Sequence, residues 1–218
     1  KDNKILFILD EMITGFRWAH KGAQEFYDVD PDISTFGKAI ANGFSLAAVC
    51  GKKKYMEIGS ILKKKEERVF LLSTTHGSEM SSLGAHISCM KFLKSKNVIK
   101  KNWKTGLELF RSMNHISRSM KMEDYFKVKG IVCSPYYEVR NENKQLDTRM
   151  RTLFMQEMLK NGVLMPWISI CYRHDKKILE KTKIATEKSI FVLKKAIKNG
   201  VNRYLKGDAI KAVFRKFN

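Results

Sequence analysis

The stretch ILFILDE, residues 5–11, places five consecutive apolar side chains directly before two acids. A continuous apolar run, as opposed to an alternating one, is the pattern of a strand buried on both faces, the kind found in parallel sheets. Such a strand needs neighbours on both sides, yet it begins within a few residues of Lys1, a first residue that is not Met. The reading is an α/β sheet with a central strand near the start, and an upstream portion is expected. Asp10 closes the strand at the end where open α/β sheets bind ligands. A carboxylate buried there needs a cation or hydrogen-bond donors, because isolated burial costs several kcal/mol. A turn or helix N-cap aspartate fits the same position.

Outward from this strand, residues 12–31 read as loop and short helix, with DVDP as a turn signal. Ile33–Phe36 and SLAAVCGK read as short strands, and RVFLLSTTHGSE as a strand running into a polar loop. Met80, Leu83, Ile87, Met90 and Leu93 recur at helical spacing and predict a helix over 79–95. A second helix is expected over 98–120, carrying Trp103, Leu107, Phe110 and Ile116. KVKGIVCSPYYEV then reads as a strand, and TRMRTLFMQEMLKNGVLM as a helix ending at Asn161-Gly162. PWISICYRH is expected as a strand and 175–199 as a last helix, packed through Thr182, Ala185, Ser189, Val192 and Ala196. The tail after Gly200 is expected to be ordered by its aromatics. The organisation changes near residue 120, from short strands and Gly/Ser/Thr/Asp-rich loops to a compact α+β order.

Composition narrows the function classes. With 44% hydrophobic residues the chain can bury a core. Cys50, Cys89, Cys133 and Cys171 are far apart and form no C-x-x-C pair, which argues against structural zinc and fits buried thiols in a reducing cytosol. No apolar run is long enough for a membrane-spanning helix. The net charge is +20, from 42 Lys+Arg against 22 Asp+Glu. These basic residues are spread along the chain without an aromatic-interleaved RNA-binding segment, so they read as a lysine-rich solvated surface, with a nucleic-acid-binding protein as the remote alternative.

Lys38 stands apart from the lysine clusters, between Phe36-Gly37 and Ala39-Ile40. Small, apolar surroundings favour the neutral amine, which is a nucleophile towards carbonyls. The bland reading is a side chain that snorkels to water. STTHGSE, residues 73–79, combines hydroxyls, a glycine and a helix start, as an anion site or an N-cap box would, and Thr75 is its best hydroxyl candidate. A carbonyl-reactive lysine, a carboxylate and an anion site together fit a cofactor with a carbonyl, a phosphate and a basic ring nitrogen, and pyridoxal phosphate (PLP) has all three.

FILDEMITGFR (7–17), GAQEFYDVDPDISTFGKAIANG (22–43) and STTHGSEMSSLGA (73–85) resemble the class III aminotransferases, PLP-dependent enzymes of fold type I, and among them the glutamate-1-semialdehyde aminotransferase-like proteins. The likeness covers essentially this whole chain but only the C-terminal half of the family's. It implies the C-terminal part of the large PLP-binding domain over 1–120 and a small α+β domain over 121–218. By the resemblance Lys38 carries the cofactor as a Schiff base, Asp10 binds the pyridinium nitrogen, and Met12 packs on the ring. Thr75 binds the phosphate of the neighbouring subunit's cofactor, which implies a homodimer. The implied reaction moves an amino group between a small-molecule donor and an aldehyde or ketone in the cytoplasm, and this piece alone is expected to be inactive. Ala41-Asn42-Gly43-Phe44-Ser45 stands where authentic aminomutases carry a Gly-Gly-Gly-Leu-Pro-like run, so the aminomutase (isomerase) reaction is the alternative.

Overall fold

The computed structural model describes residues 5–60, 62 and 79–211. The chain divides into two compact units, residues 1–100 and 101–218.

In the first unit β1 (Ile8–Asp10), β2 (Ile33–Phe36) and β3 (Ala48–Gly51) form a sheet in that order. β1 runs parallel to β2, with Asp10 opposite Thr35, and β3 runs antiparallel to β2. The chain reaches β2 through α1 (Ala23–Phe26). A 3₁₀ turn over Lys38–Ile40 leads towards β3, and α2 (Lys53–Met56) with a 3₁₀ turn over Glu57–Gly59 follows it. The parallel pairing is as expected, but the burial of β1 is not. Ile5 is 77% and Ile8 55% exposed. β1 is the edge of this sheet, and the described residues leave its apolar side chains uncovered. At its N-terminal end the Phe7 N–H and the Lys52 ammonium bind the Asp32 carboxylate at 3.1 and 3.0 Å and hold it below the usual carboxylate range.

α3 (Met80–Ser95) begins with Glu79, the last residue of STTHGSE, in the cap position and without a side-chain cap hydrogen bond. Its expected apolar face is largely unpacked: Met80, Leu83 and Ile87 are exposed and only Ser82 is buried. The expected strand over 68–72 and the loop over 73–78 lie outside the described residues.

In the second unit α4 (Val98–Ser119), most of which belongs here, packs on a hairpin of β4 (Phe126–Lys129) and β5 (Tyr136–Val139). The single strand expected over 127–139 is therefore broken: Gly130 turns the chain at φ 87° and Pro135 precedes β5. Buried Asn114 exchanges two hydrogen bonds with the Val128 backbone, and Ser117 donates to the Phe126 carbonyl. These polar residues are buried because they satisfy the edge of β4. α5 (Thr148–Lys160) is capped by Asp147 and ends in a Schellman turn, with Gly162 at φ 74° and the Val163 N–H on the Met158 carbonyl. Phe154 packs against Phe126 and Tyr137 at ring distances of 4.7 and 5.0 Å.

PWISICYRH is not a strand. Ile168 and Ile170 are buried, but the Met165 and Pro166 carbonyls take the Tyr137 hydroxyl, and Pro166 also takes the Arg151 guanidinium. Side chains occupy the acceptors that a strand partner would use. α6 (Lys176–Asn199) starts at Asp175 and ends at Gly200 with φ 87°. Thr182, Ala185, Ser189 and Ala196 are buried on it and Val192 partly so, as its small-residue spacing predicts. The tail runs along α5, where Gln156 bonds Tyr204 and Lys206 and the Thr152 hydroxyl accepts from the Ile210 N–H.

Of the four cysteines only Cys133 is buried; Cys50 and Cys171 are exposed, contrary to the expectation of buried thiols.

Candidate functional site

The candidate residues of the first unit meet at the C-terminal ends of β1 and β2. Asp10 is the last residue of β1, and Gly37-Lys38 directly follows β2. The Asp10 Oδ1 accepts from the Met12 N–H at 2.9 Å and faces the Thr35 hydroxyl at 3.4 Å. The turn-aspartate reading is thus realised in the fold. Asp10 Oδ2 takes no hydrogen bond from the described residues and is open to a further donor.

Met12 connects Asp10 to the lysine. Its thioether lies against the Gly37 backbone so closely that a Cβ at Gly37 would stand 2.2 Å from Cε and 2.7 Å from Sδ. Glycine at this position lets the methionine reach the turn that presents Lys38.

Lys38 occupies the left-handed region at φ 46°, an uncommon state for a side-chain-bearing residue that persists only where surrounding contacts impose it. Here the Ile40 N–H bonds the Gly37 carbonyl at 3.1 Å and the Asn42 N–H bonds the Lys38 carbonyl at 2.9 Å. His86, on α3, donates Nδ1–H to the Ile40 carbonyl at 2.9 Å, while Ile40 and Ala41 are buried. The turn is fixed, but the lysine side chain is exposed. Of the two readings of Lys38 the structure shows the side chain that reaches water, not the desolvated amine: the small neighbours bury the backbone and leave the side chain outside, with no ion-pair partner among the described residues. Thr75 and the rest of 73–78 lie outside the described residues.

Sequence reasoning missed Glu11. Its side chain is fully buried and accepts from the Thr14 hydroxyl and, at 2.8 Å each, from the Ala23 and Gln24 N–H groups that open α1. Its own N–H bonds the Thr35 carbonyl, and its carbonyl accepts from the Gly15 N–H, both at 2.9 Å. Gly22, at φ 87°, leaves the room: a Cβ there would stand 2.3 Å from the carboxylate. Glu11 therefore fixes the chain reversal that places Asp10 on one side and Met12 on the other. The readable signal is Thr14 three residues after Glu11, the spacing at which a hydroxyl and a carboxylate meet across one turn.

Among the described residues, no group of three His, Cys, Asp or Glu is placed to hold a metal ion. The site thus presents an exposed amine, a carboxylate with an open oxygen and a thioether between them. That donor set suits an organic group with an electrophilic carbon and a protonated ring nitrogen.

The comparisons with known proteins agree with this chemistry. The family model Aminotransferase class-III matches residues 1–191. The chain is 30% identical over 195 residues to a 3-aminobutyryl-CoA aminotransferase of Cloacimonas acidaminovorans, covering 88% of this chain and 45% of that protein. It is 34% identical over 171 residues to a glutamate-1-semialdehyde 2,1-aminomutase of Methanosphaera stadtmanae, covering 75% and 38%. An omega-transaminase from Sphaerobacter thermophilus superposes with a TM-score of 0.75 at 18% identity, covering 87% of this chain and 45% of that one. The chain spans less than half the length of these relatives. The fold is that part of the fold type I transferase, and the chain belongs to the class III aminotransferases.

Proposed function

We propose that the chain is the lysine-bearing part of a PLP-dependent aminotransferase that moves an amino group between a small-molecule amino donor and an aldehyde or ketone. The observation that carries this reading is the convergence of Asp10, Met12 and Gly37-Lys38 at the ends of two parallel strands in a chain of this family. PLP, when bound, supplies an electrophilic carbon and an electron-withdrawing ring. Lys38 would hold the cofactor covalently and, once freed from it, would be the base placed to move a proton at the substrate Cα. The open oxygen of Asp10 would accept from the ring N–H and keep that nitrogen charged. Met12 would pack on the ring, and Glu11 holds both neighbours in place. Thr75 binds the phosphate of the cofactor in a neighbouring subunit, which makes the working unit a homodimer. In this reading residues 1–120 belong to the large domain and 121–218 form the small one, with α4 as the connecting helix whose Asn114 and Ser117 bond the small domain's β4. The exposed thiols of Cys50 and Cys171 fit a reducing compartment, the cytoplasm.

The second reading is an aminomutase, favoured by the likeness to the Methanosphaera stadtmanae protein. Against it, Ala41-Asn42-Gly43-Phe44-Ser45 replaces the glycine-rich run. Incubating the complete protein with PLP, a ¹⁵N-labelled amino donor and a separate carbonyl acceptor tests both. Label appearing on the acceptor supports the aminotransferase. Isomerisation of one aminoaldehyde without exchange supports the mutase, and neither reaction refutes the proposal.

A further inference from the structure

α6 carries eight lysines and two glutamates in 24 residues. Its inner face is built of Leu179, Ala185, Ile190 and Leu193, all buried. On the outer face Lys177, Lys181, Ile184, Lys188, Phe191 and Lys195 follow one another at alternating steps of four and three residues. Those steps make a heptad seam, the spacing at which one helix packs along another. Two seam positions are large and apolar yet uncovered: Ile184 is 47% and Phe191 52% exposed. The Lys195 ammonium stands 4.4 Å from the Phe191 ring centroid, so the aromatic is flanked by charge. The ion pairs of this helix lie on the adjacent track, where Lys183 meets Glu108 and Glu180, and none of the four seam lysines has an ion-pair partner among the described residues. Ile184 stands between two shallow depressions of ≈ 430 and ≈ 390 Å³, one bordered by Asn161 and Lys188, the other by Arg111 and Glu187.

We propose that this seam is a docking face for an acidic amphipathic helix of a partner protein. Its carboxylates would meet the four lysines, and its apolar residues would seat on Ile184 and Phe191. Charge complementarity selects the occupant. A second copy would bring lysines against lysines. A bilayer would need a continuous apolar face, and the one α6 has is spent on the core. Heptad spacing with anchors seven residues apart is instead the pattern of helix-on-helix recognition.

The test is fluorescence anisotropy of the complete protein with a labelled synthetic peptide of about three heptads, leucine at its seam positions and glutamate beside them. A scrambled peptide of the same composition is the control. Binding in the micromolar range at low salt is expected for the helix-forming peptide, with at least ~10-fold weaker binding of the scrambled one. Combining Lys181→Glu, Lys188→Glu and Lys195→Glu should weaken binding at least ~10-fold, and Phe191→Ser about 5-fold. The matched reversal Lys91→Glu, Lys127→Glu and Lys206→Glu, at exposed positions off the seam, should change it less than about 3-fold. Lys→Gln at the three seam positions, which retains helix propensity, should rank between wild type and the reversal. Equal binding of the scrambled peptide, or equal loss in the off-seam variant, overturns the proposal. So does seam-dependent binding of phosphatidylserine vesicles or duplex DNA without binding of the peptide.

Discussion

Replacing Glu11 by alanine removes a carboxylate that serves the Thr14 hydroxyl and the Ala23 and Gln24 N–H groups. Ala23 is buried, so its N–H has no ready water to replace the lost acceptor. A buried donor left unsatisfied costs roughly 1–3 kcal/mol; with about 1 kcal/mol for the half-buried Gln24 amide, the two amides together cost about 2–4 kcal/mol of local stability. Against a domain stability of ~5–15 kcal/mol that is a large share. Glu11→Gln retains one acceptor oxygen but turns an amide NH₂ towards donors, so it should fall between wild type and alanine. Native-state hydrogen exchange at Ala23 and Gln24 reads the effect directly. A loss of 2–4 kcal/mol speeds their exchange roughly 30- to 1,000-fold, while amides of the second unit keep their protection. Exchange accelerated less than about 3-fold in Glu11→Ala, or glutamine behaving worse than alanine, would refute the role assigned to Glu11.

Gly37→Ala should separate stability from cofactor binding. Its extended backbone accepts alanine, and the new Cβ meets only the flexible end of Met12. Melting should shift by about 1 kcal/mol or less, while displacement of Met12 weakens PLP binding about tenfold in fluorescence titrations. Gly106→Ala in α4 should do the reverse of its helix propensity: the Cβ would stand 1.9 Å from the Val132 carbonyl oxygen, and a loss of about 3 kcal/mol or more is expected in urea denaturation. Burial pushes the Tyr137 phenol up to about 12 against the opposing pull of Arg151. The folded state therefore holds this proton more tightly than the unfolded one, and its stabilisation is complete below pH ~10 and lost as pH rises towards 12. Unfolding free energy should fall by about 2–3 kcal/mol across that window. In Tyr137→Phe the fall should vanish, after a constant cost of about 1–2 kcal/mol for the lost donor.

Local pattern carried much of the fold. The helix over 175–199 was legible because small residues mark its buried face and Gly200 stops it. PWISICYRH was misread because alternating isoleucines resemble a strand, and nothing local shows that Tyr137, 28 residues upstream of Met165, takes the carbonyls. Asn114 and Ser117 were passed over for the same reason: they are buried by pairing with a strand edge, not by apolarity. ILFILDE revealed its parallel pairing but not that, among the described residues, β1 is the sheet edge and its apolar side chains stay exposed. At the site, spacing and resemblance singled out Asp10, Met12 and Lys38. Lys38 is exposed as the snorkelling reading of its side chain had it; what the sequence did not show is the left-handed turn that buries the backbone and leaves the side chain in water.

The central claim is that Lys38 carries the cofactor. Treating the complete protein with PLP, reducing with borohydride and mapping the peptides by mass spectrometry tests it most directly. The account predicts the reduced PLP mass on the peptide containing Lys38 ahead of every other lysine, and its loss in Lys38→Ala. Label spread over the surface lysines according to exposure, and unchanged by Lys38→Ala, would contradict it.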